Sequence, residues 1–205
     1  MNSYQEDDFP EGATPVERDA ISEIASHYEA ILKLVGDDPS REGLRKTPMR
    51  AARALWYATS GNRSGQPADL MRKALFSHEG SQMVVVRDIE FYSLCEHHIL
   101  PFFGTVSVGY IPDGQIVGLS KLARVVNAVA RRLQVQERLT AEICKAVEEA
   151  LHPLGVIATC RASHLCMQMR GVEKQQASTV TTHYTGLFES DPSLREEFHR
   201  MTAGA

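Results

Sequence analysis

Two apolar segments on either side of a short polar turn decide the fold of this chain: MVVVRDIEFYSLCEHHILPFFGTVSVGYIP, residues 83–112. The segments 83–94 and 104–112 consist of alternating or short apolar runs, and the second ends at a Pro-Asp-Gly-Gln turn, a pattern typical of β-strands. Between them the turn carries a thiol, a carboxylate and two imidazoles in a row, at residues 95–98. Such a cluster is either a metal site with a proton-transfer group beside it or an ordinary polar turn.

The hydrophobic period changes along the chain, and this change predicts its organisation. Before residue 81 the apolar residues recur at helical spacing, in segments 14–36, 47–61 and 66–75. After it come the two strand patterns, two helical patterns and two further strand patterns, the last four at 122–133, 139–151, 155–171 and 177–188. The sequence therefore predicts an α+β protein with a helical region over 1–80 and a second region of order ββααββ over 81–205.

Composition restricts the possible partners. The chain has 205 residues, of which 43% are hydrophobic and 23% charged, and its net charge is −4. It has no overall basic field to attract nucleic acid or an anionic membrane, so any anionic ligand needs a local cationic cluster. The acidic N-terminus is unlike a signal peptide and the apolar runs are short, which predicts a cytoplasmic protein whose four cysteines are thiols or metal ligands.

The segment 155–171 is the second source of metal-binding residues. In an extended chain alternate residues share a face, which would place His164, Cys166, Gln168 and Arg170 together and leave Leu165, Met167 and Met169 for the core. Soft thiolates with imidazoles favour Zn²⁺ over Mg²⁺ or Ca²⁺, although the same ligands also suit Fe²⁺. Three protein ligands would indicate a catalytic site with an open position, and four a structural one.

A further polar group lies between the two helical patterns and at the start of the first. Ser120, Lys121 and Arg124 begin a helix, where backbone N–H groups and the helix dipole favour an anion such as phosphate, or they form a solvated basic face. Gln136 and Glu137 lie where the helical pattern breaks. A carboxylate beside an amide suits the N–H edge of a purine, and it equally suits a helix cap.

Several motifs, in order and spacing, resemble one enzyme family. SLCEHH, GLSKLARVVNAVARRLQVQERLT, HLCMQMRGV and STVTTHYTGLF resemble GTP cyclohydrolase I of the zinc-dependent type, and DDPSREGLRKTPMRAA resembles its N-terminal helical signature. The resemblance runs from about residue 16 to residue 198, nearly the whole chain. It implies a tunnelling fold that assembles as a homodecamer, with active sites between subunits.

The resemblance also implies roles for individual residues. Zinc would be held by Cys95, His98 and Cys166, with His97 and His164 as proton-transfer groups. Guanine would be held by Gln136 and Glu137, and the triphosphate by Ser120, Lys121, Arg124 and Arg170. The implied reaction converts GTP and water to 7,8-dihydroneopterin triphosphate and formate, the first step of tetrahydrofolate and pterin biosynthesis. Zinc would acidify a water molecule for attack at C8 of the purine. A protonated His164 near N7 is favoured for activating C8, which leaves His97 for later proton transfers.

Two rival functions follow from the same residues. A related tunnelling-fold enzyme reduces a nitrile on a deazaguanine with a nicotinamide cofactor and a cysteine nucleophile, but it lacks this zinc set. An inactive relative would use zinc only to stabilise a regulatory oligomer, and such a protein would not require Gln136, Glu137, His97 and His164. Both rivals are disfavoured by the residues present.

Overall fold

The computed structural model describes residues 5–203, which form two compact units. The first unit ends at Thr59 and the second begins at Ser60. Within residues 5–203, no helix combines the length and the apolar character needed to cross a membrane.

The first unit is helical, as its sequence pattern predicts. It contains a short 3-10 helix, Glu6–Asp8, and the helices α1 (Pro15–Leu34) and α2 (Thr47–Ala58). The Thr14 hydroxyl accepts a hydrogen bond from the backbone N–H of Glu17, whose carboxylate accepts one in return from the backbone N–H of Thr14. The small core of this unit consists of Ile21, Ala25, Met49 and Ala52.

The second unit contains the strands β1 (Leu75–Ser77), β2 (Val84–Cys95), β3 (Pro101–Ile111), β4 (Gln115–Val117), β5 (Leu133–Gln134), β6 (Gly155–His164) and β7 (Thr179–Gly186). Five of them form a sheet of order β5-β2-β3-β6-β7. Its long strands are antiparallel neighbours, and only the short β5 runs parallel to its partner β2. A separate two-stranded sheet pairs β1 with β4.

Helices cover this sheet and complete its core. Two of them, α4 (Leu119–Ala130) and α5 (Gln136–Leu151), follow β4 and β5, and α5 packs on β6 and β7 while α4 packs on β2. Their apolar faces join the inward residues of β3 and β6 in one buried cluster, as the helical spacing predicts. The α+β class is therefore confirmed, and the long elements follow the predicted order ββααββ.

Residues 60–80 belong to the second unit and pack on its helices α4 and α5. They include a 3-10 helix, Ser60–Arg63, and α3 (Pro67–Arg72), whose Ala68 and Met71 belong to the core of the second unit. The change of hydrophobic period near residue 81 and the division of packing after Thr59 thus fall at different places in the chain.

The long strand predicted over 155–171 is wrong in its second half. Strand β6 ends at His164, and Leu165–Gln168 form one helical turn, α6. The reason is the lack of a strand partner: the pairing of β6 with β3 ends at His164 opposite Phe102. Beyond that point the backbone satisfies its hydrogen bonds locally, with the N–H of Met169 donating to Leu165 O.

The core positions predicted for this segment are also wrong. Leu165 and Met167 are only partly buried, and Met169 is 62% exposed. The chain then ends in two helices that the sequence pattern did not predict, α7 (Leu187–Ser190) and α8 (Pro192–Thr202). Their buried residues Phe188 and Phe198 form a small cluster with Ile111 and Ile157.

Candidate metal centre and active site

The turn between β2 and β3 is closed tightly around Cys95. The N–H of Cys95 donates to Leu100 O, and the carbonyl of Cys95 accepts from the N–H groups of His98 and Ile99, at 3.3 and 2.8 Å. Ile99 has a φ of 54°, a left-handed conformation that is costly for a β-branched residue, by about 1–3 kcal/mol. The surrounding hydrogen bonds hold this strained turn and direct the Cys95 and His98 side chains to the same place.

The carboxylate of the turn is a structural anchor. Glu96 forms an ion pair with Arg138 in the first turn of α5, and its backbone N–H donates to Gln134 O. Arg138 also donates to the side-chain oxygen of Gln134 at 2.9 Å and to the carbonyl of Leu133 at 3.0 Å. The hydrogen bond from Arg138 lowers the pKa of the Glu96 carboxyl, which therefore stays ionised. Sequence reasoning missed this role, because no local pattern links two residues 42 positions apart.

Three side chains in the described part of the chain form a group that fits a metal ion. The ligand atoms of Cys95, His98 and Cys166 all lie within 4.8 Å of one another. Cys95 Sγ and His98 Nδ1 are 3.9 Å apart, close to the roughly 3.5 Å that separates sulfur and nitrogen ligands of a tetrahedral zinc ion. Burial raises the pKa of the Cys166 thiol, and the neighbouring Cys95 raises it further, so a cation between the two sulfurs would stabilise both as thiolates.

The adjacent His97 is placed differently from His98. Both imidazoles are exposed, and the Nδ1 of each lies 3.9 Å from Cys95 Sγ, but only His98 belongs to the group of three. The division of the two imidazoles into a ligand, His98, and a proton-transfer group, His97, stays a prediction.

His164 is held on two sides at the end of β6. Its ring stacks on Phe102, with the planes 3° apart and the centroids 4.6 Å apart, and its Nε2 lies 2.8 Å from the side-chain oxygen of Gln136. Burial lowers the pKa of His164, and the Glu137 carboxylate opposes that effect. Burial therefore works against the protonated imidazole favoured by sequence reasoning, and Glu137 works for it.

The two residues predicted to hold guanine differ in their surroundings. Gln136 is 2% exposed, and its amide nitrogen donates to Cys160 O, Thr179 O and Thr181 Oγ1 at 3.0, 3.0 and 3.2 Å. The amide hydrogens of Gln136 are thus committed within the chain, and only its oxygen retains accepting capacity. Glu137 is exposed and free to accept hydrogen bonds from a ligand.

The predicted phosphate-binding residues fall into two places. Arg170 lies near Cys166, because its charge opposes the rise that burial causes in the pKa of that thiol. Arg170 is therefore at the metal-binding end. Ser120, Lys121 and Arg124 lie in the first half of α4, whereas Cys95 pairs with Gln134 beyond the end of that helix. At 1.5 Å per residue, Lys121 is about 15 Å from the metal-binding end along the helix axis. The three residues therefore lie at the opposite end of α4 from the metal group.

The other two cysteines are core residues, as predicted. Cys144 and Cys160 are fully buried, and burial raises the pKa of each thiol to about 12. The Cys144 thiol donates to His183 O at 3.3 Å. Neither thiol is available as a metal ligand.

Comparison with known proteins identifies the family. The family model for GTP cyclohydrolase I matches residues 24–203. The chain is 53% identical to GTP cyclohydrolase 1 of Porphyromonas gingivalis, over 90% of this chain and 95% of that protein. It is 51% identical to the Bacteroides fragilis protein of that name, over 89% and 93%, and 48% identical to the rat protein, over 87% and 73%. Among solved structures, an archaeosine synthase QueF-like in the apo form matches with a TM-score of 0.41 and 20% identity, over 51% of this chain and 93% of that one, a similarity too low to bear on function.

Proposed function

The chain belongs to the GTP cyclohydrolase I family, and from that premise we propose that it converts GTP and water to 7,8-dihydroneopterin triphosphate and formate, with the residues described above. The observation that carries the proposal is the convergence of Cys95 and His98 with Cys166, beside an imidazole and an exposed carboxylate. Cytoplasmic localisation stays a prediction from composition.

Zinc is the metal we propose for this group. Two thiolates and one imidazole are the donor types that zinc prefers, and three protein ligands are typical of catalytic rather than structural sites. A bound zinc ion would supply a Lewis acid and make water nucleophilic near neutral pH.

The chain's own residues would bind and orient the substrate and move protons. The Glu137 carboxylate would accept hydrogen bonds from the N–H edge of guanine, because it is exposed and lies at the first turn of α5 beside Gln136. Glu137 would carry this contact, because the amide nitrogen of Gln136 already donates to Cys160, Thr179 and Thr181. Arg170, Lys121, Arg124 and Ser120 would bind the triphosphate.

We assign His97 and His164 to different proton transfers. The two rings occupy different surroundings, since His97 is largely exposed and His164 is stacked and hydrogen bonded. Opening of the purine, release of formate and ring closure require protons at different atoms. A His97→Ala variant is expected to retain its metal and to accumulate a ring-opened species, which chromatography of a single turnover would detect.

The complete site would require a second copy of the chain. The resemblance implies active sites between subunits, and the position of Ser120, Lys121 and Arg124 at the far end of α4 from the metal group is compatible with that arrangement. A neighbouring copy that presents its α4 would bring the cationic residues to the site. We propose that the chain forms the homodecamer implied by the resemblance.

One assay tests the proposed function against its rivals. Purified protein loaded with zinc is incubated with GTP, and formate is measured together with pterin fluorescence. The proposal expects both products. A nitrile reductase or a regulatory oligomer with a structural metal would release no formate, and that result would overturn the proposal.

A further inference from the structure

We propose that Gln136 is a positioning residue that acts through His164: it fixes the ring so that Nε2 carries a hydrogen, which makes Nδ1 the atom that exchanges protons with the substrate. This role rests on the proposed function and deepens it. It gives the amide of Gln136 a different task from recognition of guanine.

The first step of the argument is the orientation of the Gln136 amide. Its nitrogen faces the carbonyls of Cys160 and Thr179 and the hydroxyl of Thr181. A flipped amide would point its oxygen at two carbonyl oxygens, which accept and cannot donate, and would leave them unpaired in a buried place. The nitrogen therefore points to these acceptors, and the oxygen must face His164.

The second step is the orientation of the His164 ring. The atom 2.8 Å from the Gln136 oxygen must be a nitrogen, because a ring carbon at that distance would overlap the oxygen. The amide oxygen can only accept, so the facing Nε2 must donate its hydrogen. Stacking on Phe102 fixes the plane of the ring, and the register of β3 with β6 fixes Phe102 opposite His164.

The third step concerns the other ring nitrogen of His164, Nδ1. In a neutral imidazole with a hydrogen on Nε2, the lone pair is on Nδ1. Nδ1 is therefore the position that takes up and releases a proton during catalysis. If Gln136 were lost, the ring could carry its hydrogen on either nitrogen, and only part of the population would present an accepting Nδ1.

The fixing network extends behind Gln136. Thr181 Oγ1, which accepts from the Gln136 amide, lies 2.7 Å from Thr140 Oγ1, and Thr140 donates to the carbonyl of Gln136. Thr140 and Gln136 are both buried. The amide is therefore attached to α5 and β7 at once and cannot rotate without breaking several hydrogen bonds.

A double-mutant cycle, measured by steady-state kinetics, tests the inference. In Gln136→Ala we expect kcat to fall by up to about 100-fold with little change in the KM for GTP, because a proton transfer and not a base contact is impaired. In a His164→Ala background the further change Gln136→Ala should have no additional effect on kcat. Thr182→Val is the matched control, since it removes a hydroxyl on the same strand β7 that lies beside Thr159 and outside the Gln136 network, and it should retain most of the wild-type kcat.

Opposite results would overturn the inference. Additive losses in the double variant, or a raised KM for GTP with unchanged kcat in Gln136→Ala, would show that Gln136 contacts the base. Metal content and thermal unfolding of each variant establish that the site and the fold remain.

A spectroscopic measurement tests the same inference without an activity assay, and it does not depend on a Gln136 variant that folds. Nitrogen-15 NMR of zinc-loaded protein labelled at the histidine rings, with His164 assigned by its loss in His164→Ala, reports which nitrogen carries the hydrogen. We expect it on Nε2, and a hydrogen on Nδ1 would overturn the inference. A protein with the Nε2 hydrogen but no formate release would refute the proposed function and leave the positioning role standing.

Discussion

The two ends of α4 differ in how far one chain prepares them for function. Beyond its C-terminal end lie Cys95, His164 and Gln136, buried or partly buried and held by hydrogen bonds and a stacked ring. At its N-terminal end lie Lys121 and Arg124, for which the described chain shows no ion pair. The end that we propose for the metal and for proton transfer is held by hydrogen bonds within one chain, whereas the described chain shows no side-chain hydrogen bond or ion pair for Lys121 and Arg124 at the cationic end.

A physical difference between the two tasks explains this contrast. Metal ligands and proton-transfer groups must be held to within a fraction of an ångström, which requires packing and a supporting shell of hydrogen bonds. A triphosphate is bound mainly by charge, which tolerates long, exposed side chains and tolerates residues from another copy of the chain. We therefore expect changes at the two ends to fail in different ways.

The largest expected effect is loss of the metal. Cys166→Ala removes one of three ligands, so metal content should fall from about one ion per chain to nearly none, with loss of activity. The control is Cys144→Ala, which alters a buried thiol outside the group and should retain its metal. Metal analysis of both purified variants checks this, and full occupancy in Cys166→Ala would refute the ligand set.

The next effect tests whether each active site is built from one chain or from two. Lys121→Ala and Cys166→Ala should each be nearly inactive alone, but a mixed oligomer should recover activity at up to about a quarter of its sites, those that combine an intact half from each chain. The variants are unfolded and reassembled together at equal amounts, and formate release is compared with that of separately reassembled variants. If the mixture is no more active than its components, both ends of each site belong to one chain.

A smaller effect concerns which part of GTP each end recognises. Glu137→Ala should lose discrimination between GTP and ATP by about 1–3 kcal/mol, roughly 5- to 150-fold, because the N–H edge of the base is left unpaired. Lys121→Ala should keep that discrimination and instead bind GTP with weaker affinity and an altered salt dependence. Competition binding at two salt concentrations distinguishes them. Unchanged discrimination in Glu137→Ala would remove this residue from base recognition.

The smallest effect concerns the support of the metal-binding turn. Glu96→Gln removes the ion pair with Arg138 and keeps the side-chain shape, so zinc affinity should fall by up to about tenfold while the fold stays intact. Glu149→Gln is the control, because it breaks an exposed pair with Lys145 on the same helix α5. Zinc competition with a chelator measures both, and equal affinities in the two variants would exclude a supporting role for Glu96.

The sequence predicted helices and strands correctly where the spacing of apolar residues follows the buried face of the element. The helices α4 and α5, the strands β2 and β3 and the α1 capping box have residue patterns set by their own neighbours in the chain. The pattern failed at Leu165–Gln168, where alternation of residue types continued but the strand partner ended. Short elements such as β5 were missed because two residues carry no measurable period.

The sequence by itself determined which chemical groups are available. These are two thiols and an imidazole that suit a soft metal, a carboxylate that suits the N–H edge of a purine, and cationic side chains that suit phosphate. Only the tertiary structure decided how these groups are used. It paired Glu96 with Arg138, committed the Gln136 amide to β6, β7 and His164, and separated Lys121 from the metal group by most of a helix. The physical reason is that residue types and periods are local properties of the chain. The partner that satisfies a hydrogen bond or a charge is set by which distant segments the fold brings together.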